Sequence, residues 1–249
     1  MSKDGHSTAV TKIGVENYFA YSLGPVKDVG SFAVEAAGSG TYTEGADALE
    51  DAGEDLCVRA NTNINPDTDL VVTVTGTKEG GGAVSGVATI LKASPVGQAF
   101  EVVVAGEEKF ATVTGVTVVG GAEGDGFDIA ALPTSFTDLD FIETAEFNTG
   151  RTTKAIPKHY EPTDHTKRIR GENTLTMRGL YQRSKTGLSA IAEREVTIRD
   201  EIHDDGQATA TEVWIYSKCR VGAPKNVGAN DENVTVNATG TFGKAFIFS

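Results

Sequence analysis

Cysteine, methionine and tryptophan are almost missing from this chain of 249 residues, which holds two Cys, two Met and one Trp. Cys57 and Cys219 stand too far apart in sequence to frame a disulfide scaffold or a Cys-based zinc site. They read instead as two small buried hydrophobes with free thiols. No stretch of eighteen apolar residues occurs, so a membrane-spanning helix is excluded. Met1 to Gly14 show no apolar run behind a basic start, so no secretory signal is legible and synthesis in a cytoplasm is expected. The chain also lacks a Gly-x-Ser-x-Gly elbow, a phosphate-cradling Gly-x-x-x-x-Gly-Lys-Ser/Thr loop and a His-Glu-x-x-His helix. Acidic pairs are so frequent that choosing two as a hydrolase dyad would be arbitrary.

Positive charge is scarce in one part of the chain only. Residues 1–150 carry 7 Lys+Arg against 23 Asp+Glu, a net of −16, whereas residues 151–249 carry 15 against 12, a net of +3. Phosphate binding needs clustered Lys and Arg, so the acidic part is not a surface that grips nucleic acid. The asymmetry itself marks two regions with different employment.

What is abundant is glycine, at 29 residues, alongside an apolar fraction of 39%, a composition suited to many short strands joined by tight turns. Residues 13–34 mix Tyr18, Phe19, Tyr21 and Phe32 with Gly14, Gly24, Pro25 and Gly30, which reads as strands and a turn. Residues 36–55 are rich in Gly, Ala and acid, and read as an exposed loop or short acidic helix. From 69 to 132 the chain becomes densely β-forming, with runs at 70–74, 87–90, 100–104, 110–119 and 127–129. Gly80-Gly81-Gly82 and the glycines from 120 to 126 separate these runs, which predicts a small sandwich of their own.

The last third alternates with period 2. Leu175, Met177, Gly179 and Tyr181 fall on one side, a Gly-started, Ala-rich segment at 187–195 interrupts with a helix-like pattern, and Val196 and Ile198 resume. A long strand follows from Thr211 to Val221. Val213, Ile215, Cys219 and Val221 are expected to face the core, and Trp214, Tyr216, Lys218 and Arg220 a neighbouring element or subunit. Residues 228–233 read as a turn. The chain ends on Ala245-Phe246-Ile247-Phe248, too apolar to be left in water.

This order of elements resembles the tail tube proteins of long-tailed bacteriophages. The resemblance is carried by Glu172-Asn173-Thr174-Leu175-Thr176-Met177, by Leu188-Ser189-Ala190-Ile191, and by Trp214 to Arg220 followed by Asn230 to Val236. It covers well under half of the chain. It implies a mainly β subunit with a sandwich or barrel tube-type domain and one short helix. It further implies copies of the chain in six-fold rings stacked into a tube, other tail proteins as partners, a place in the virion tail, and DNA passing without specific binding. A wall that repels phosphates suits such a duct. Residues 110–117 with their glycine-rich sequel are separately similar to immunoglobulin-like modules of phage structural proteins. Together the two likenesses predict a tube domain from 1–55 and 133–249, and an inserted Ig-like sandwich at 56–132. No enzyme activity, cofactor or metal is expected. A head-decoration or fibre protein is one alternative; a glycan-binding module using Trp214 and Tyr216 as its platform is another.

One basic stretch remains, residues 149–171, with Arg151, Lys154, Lys158, Lys167, Arg168 and Arg170 against Glu161 and Asp164. Pro157 and Pro162 prevent a regular helix, so an extended arm or long hairpin loop is predicted. It reads as a solvated loop, an arm that docks on an acidic neighbour in an assembly, or a nucleic-acid contact with only Tyr160 for stacking. His159 and His165 are spaced for no helix-based zinc motif. Asp204-Asp205-Gly206 and Glu123-Gly124-Asp125-Gly126 could offer oxygens to calcium but read better as turns. Asn233 and Asn237 begin glycosylation patterns that carry no weight without a secretory signal.

Overall fold

A computed structural model describes residues 9–12, 15–139, 142–148, 151–156, 165–170, 173–181, 187–204, 209–230 and 233–248. In chain order the strands are β1 (Ala9–Lys12), β2 (Val15–Ser22), β3 (Lys27–Ala36), β4 (Ser39–Glu44), β5 (Leu56–Ala60), β6 (Leu70–Thr77) and β7 (Ala83–Ile90). Next come β8 (Ala99–Glu101), β9 (Val103–Val104), β10 (Thr112–Gly120), β11 (Gly126–Ala131), β12 (Thr137–Asp138), β13 (Ile142–Asn148), β14 (Arg151–Ile156) and β15 (His165–Arg170). The series closes with β16 (Asn173–Tyr181), β17 (Glu195–Asp204), β18 (Glu212–Val221), β19 (Lys225–Asn230), β20 (Asn233–Phe242) and β21 (Ala245–Phe248). The protein is mainly β, as the alternating sequence predicts. The helix expected near 187–195 is a single 3-10 turn, Leu188–Ala190, with Leu188 buried and Ile191 at its end. Three residues are too few to sustain an α-helix against its nucleation cost.

The chain forms two compact units. One contains Gly24–Ser135, Glu212–Ile215 and Ala245–Ser249, and it is a β-sandwich. Its two sheets run in the orders β4-β3-β11-β5-β8 and β10-β6-β7-β9, with neighbouring strands antiparallel. β6 alternates buried and half-buried positions and β7 alternates exposed and buried ones, the pattern of a sheet with one face inward. Leu70, Val72, Val74, Val84, Ala88 and Ile90 from one sheet meet Phe32, Val58, Phe127 and Ile129 from the other. Phe32 and Phe127, paired across β3 and β11, stack at 5.3 Å. The expected boundary at 55/56 is therefore corrected. β3 and β4, which precede it, belong to the same sheet as β5 and β11, and the sandwich begins at Gly24. The acidic stretch after β4 forms no α-helix. Lys27 holds Glu54 at 2.8 Å and Glu50 at 3.4 Å, and Lys109 holds Asp55 at 2.8 Å.

The apolar chain end docks in this sandwich. Phe246 is buried with Val26, Cys57, Ala99, Ala130 and Ile215. Arg59 fixes the strand's start. Its Nε donates to the Ala245 carbonyl at 2.6 Å, its guanidinium lies 5.6 Å from the Phe246 ring centre, and Nη1 meets Asp128 at 3.2 Å. Asn61 donates to the other Asp128 oxygen at 3.0 Å, so both carboxylate oxygens of this buried ion are satisfied.

The second unit contains Met1–Leu23, Phe136–Thr211 and Tyr216–Lys244. Its sheet follows the order β1-β2-β17-β18-β20-β16-β13, with β12 beside β2 and β19 beside β20. β16 pairs with β20 over nine residues, from Asn173 opposite Phe242 to Tyr181 opposite Val234. Gly228 to Asn230, expected in a turn, extend β19 and pair with β20 instead. β14 and β15 form a separate two-stranded ribbon.

Candidate interaction surfaces

The basic stretch is a β-hairpin in register from Arg151 opposite Arg170 to Ile156 opposite His165. The hairpin reading of 149–171 thus holds for its strands; its connection, residues 157–164 with Lys158, His159 and both prolines, lies outside the described residues. The register brings like charges together: Arg151 pairs with Arg170, Lys154 with Lys167, and Arg168 sits opposite Thr153. Like charges directly opposite one another destabilise an antiparallel pair. The sequence discloses the charge count, but only the register discloses that cationic residues are paired across the ribbon.

β18 carries the other four residues expected at an interface. Ile215, Cys219 and Val221 are buried and Val213 packs on the Phe246 cluster, as alternation predicts. Tyr216 faces neighbouring strands of its own unit, which corrects its place at an assembly interface. Only 4% of it is exposed, its ring stacks on Phe147 at 3.6 Å and 2°, and Phe242 meets it edge-on at 5.1 Å. Alternation fails at this one residue because Ile215, Tyr216 and Ser217 are buried in succession where β18 passes from one unit to the other, and it resumes unchanged with Cys219 and Val221 buried and Lys218 and Arg220 exposed. Trp214 is half-buried, whereas Lys218 and Arg220 are exposed. Arg220 is engaged within its own unit, its Nε and Nη2 both reaching Glu195 Oε2, at 3.0 and 2.8 Å. That pair rims an open depression of about 410 Å³ lined by Glu193, Arg194, Glu195, Arg220, Val221 and Gly222.

The turn readings of the acidic loops can be judged at one of the two. Asp125 accepts from the amide of Asn65 at 2.9 Å and from that of Ala122 at 2.8 Å, so its oxygens organise the turn around Gly124. Asp204-Asp205-Gly206 runs into residues outside the described set. Among the described residues no group of three His, Cys, Asp or Glu side chains is placed to hold a metal ion, and no helix is long and apolar enough to cross a membrane. Both thiols are buried, and burial pushes each up to about 12. Compared with family models, curated proteins and solved structures, the chain matches none.

Proposed function

We propose that the protein is a non-enzymatic structural subunit of a virion tail, a tail-tube-like protein whose copies assemble into stacked rings around a conduit for DNA. The observation that carries this reading is the β14–β15 ribbon with Arg151 opposite Arg170 and Lys154 opposite Lys167. A ribbon that sets cation against cation is unfavourable alone and becomes favourable when a partner supplies anions. The same chain supplies them: residues 1–150 carry a net of −16, and Glu44 at the end of β4 and Asp47 and Asp51 in the loop after it are exposed. Opposite potentials on two copies steer their encounter and set their register. A long antiparallel sheet in the unit that bears the ribbon suits a continuous wall, and the resemblance of residues 172–236 to tail tube proteins adds to this.

The glycan-binding alternative loses support, because Tyr216, half of its proposed platform, is consumed by the stack with Phe147 and Phe242. Electron microscopy of the purified full chain at low salt tests the proposal. Rings or tubes of uniform width are expected, and they should dissolve into single subunits when Arg151, Arg168 and Arg170 are changed together to Glu. Monodisperse small particles at every concentration and salt would refute it.

A further inference from the structure

The outer face of the four-stranded sheet β10-β6-β7-β9 is built without a single charge. Alternate positions of β6 place Val71, Thr73, Thr75 and Thr77 outward, and those of β7 place Ala83, Ser85, Val87 and Thr89 beside them. Thr117 and Val119 on β10, and Val103 on β9, extend the rows. Val87, Val103 and Val119 are 43%, 71% and 69% exposed. This is anomalous for its surroundings, since residues 24–135 carry 17 Asp+Glu against 5 Lys+Arg, a net of −12.

The threonines make the face drier than its composition suggests. The Thr75 hydroxyl donates to the Gly115 carbonyl at 3.1 Å, that of Thr114 to the Thr75 carbonyl at 3.3 Å, and the hydroxyls of Thr77 and Thr112 share a bond of 2.7 Å. These polar atoms are satisfied inside the sheet, so covering them costs less than covering free hydroxyls. What is left to meet a partner is methyl surface interspersed with the hydroxyls of Thr73, Ser85, Thr89 and Thr117.

We infer that this face docks against the same face of a second copy of the chain. Two sandwiches that each carry a net of −12 repel one another, and the uncharged sheet is a patch on which they can meet without facing like charges. A flat face of this kind pairs with itself about a two-fold axis, with Thr73 and Val87 near its centre. With β10, β6 and β7 holding eight or nine residues each and β9 two, spacings of about 4.8 Å between strands and about 3.4 Å along them give roughly 440 Å² per copy, or about 900 Å² in all. That falls short of the roughly 1,000 Å² that a specific interface needs on its own, so the contact is weak between free subunits and gains from any assembly that holds copies close. It does not depend on the tail-tube reading.

Site-directed cross-linking of the full chain tests it. Both native thiols are buried, so a single added cysteine is the reactive one. At high protein concentration with a short bis-maleimide, Val87→Cys should give about tenfold more covalent dimer than Ser39→Cys on the opposite sheet, a difference of about 1.4 kcal/mol. Adding Thr73→Glu to Val87→Cys should remove the excess. Mixing that protein with one carrying Thr73→Lys and Val87→Cys should restore it as a heterodimer, which a misfolded variant could not do. Equal yields from positions 87 and 39, or mixing that restores nothing, would overturn the inference.

Discussion

Two surfaces of this chain depart from the ordinary mixture of charges in opposite directions. The β14–β15 ribbon sets cation against cation, while the outer face of β10-β6-β7-β9 carries no charge at all. An isolated subunit gains nothing from either arrangement: the first costs cross-strand repulsion, the second leaves methyl groups in water. On the two proposals above each becomes favourable with a partner, and the partners differ, since the ribbon asks for anions and the flat sheet for its own likeness. A salt titration separates them, because exposed charges are screened beyond about 8–10 Å at physiological ionic strength and apolar contacts are not.

Both surfaces depend on cores that hold them, and the sharpest perturbation is there. Phe127 is fully buried and stacked on Phe32 beneath the sandwich sheets. Phe127→Ala should destabilise the protein by about 3–5 kcal/mol, measured by urea unfolding, and with it the sandwich face. Tyr216→Ala probes the other unit in the same way and should cost about 3 kcal/mol, whereas Tyr216→Phe keeps the stack on Phe147 and should change little. If Tyr216→Ala left stability untouched, the ring would not be a core residue and the surface-platform reading would return.

Next in size is the buried ion pair at the docked chain end. Asp128→Ala strands Arg59, whose side chain is only 12% exposed, and about 3 kcal/mol should be lost. Arg59→Met together with Asp128→Ala should recover much of it. Limited proteolysis at the C-terminal strand reads the local consequence, because Arg59 also holds the Ala245 carbonyl.

The cysteines give a pH-dependent effect of known sign. Each thiol is neutral in the fold and is pushed from 9.0 to about 12 by burial. Below pH 9 folded and unfolded chains both keep their protons and this contribution to stability is complete. Above pH 9 the unfolded thiols ionise first, so stability falls by about 1.4 kcal/mol per pH unit for each. Urea midpoints at pH 8 and pH 10 should diverge in the native chain, and their gap should narrow when Cys57 and Cys219 are replaced by Ala. Alkylation of the folded protein should stay slow at pH 8, because the thiolate is the nucleophile.

These predictions lean on features the sequence disclosed unevenly. Dense runs of β-forming residues located β6, β7, β10 and β11, and the apolarity of the chain end pointed to the docking of Phe246, since burial is what such residues demand. Where the unit boundary falls was not legible. Composition changes near residue 56, but β3 joins β11 across about a hundred residues, and such pairing leaves no local mark. The Tyr216 error has the same origin, since a residue-by-residue alternation carries no notice that β18 changes units after Ile215. The basic stretch was visible as a count, and its cross-strand opposition only as geometry.

The smallest effect is the most diagnostic for the ribbon. Lys154→Glu places a carboxylate opposite Lys167 and converts one like-charge pair into an opposite-charge pair. Such a change should stabilise the isolated ribbon by about 0.2–1 kcal/mol. Hydrogen exchange of the β14 and β15 amides in the single subunit should slow accordingly, by no more than about fivefold, and the gain should vanish at high salt. Assembly should move the other way, because the ribbon now brings two fewer net positive charges to an acidic neighbour. Opposite signs in the two measurements are what a surface shaped for a partner requires. If exchange slowed and assembly strengthened together, the cations would serve the ribbon's own fold, and the acidic partner would have to be abandoned.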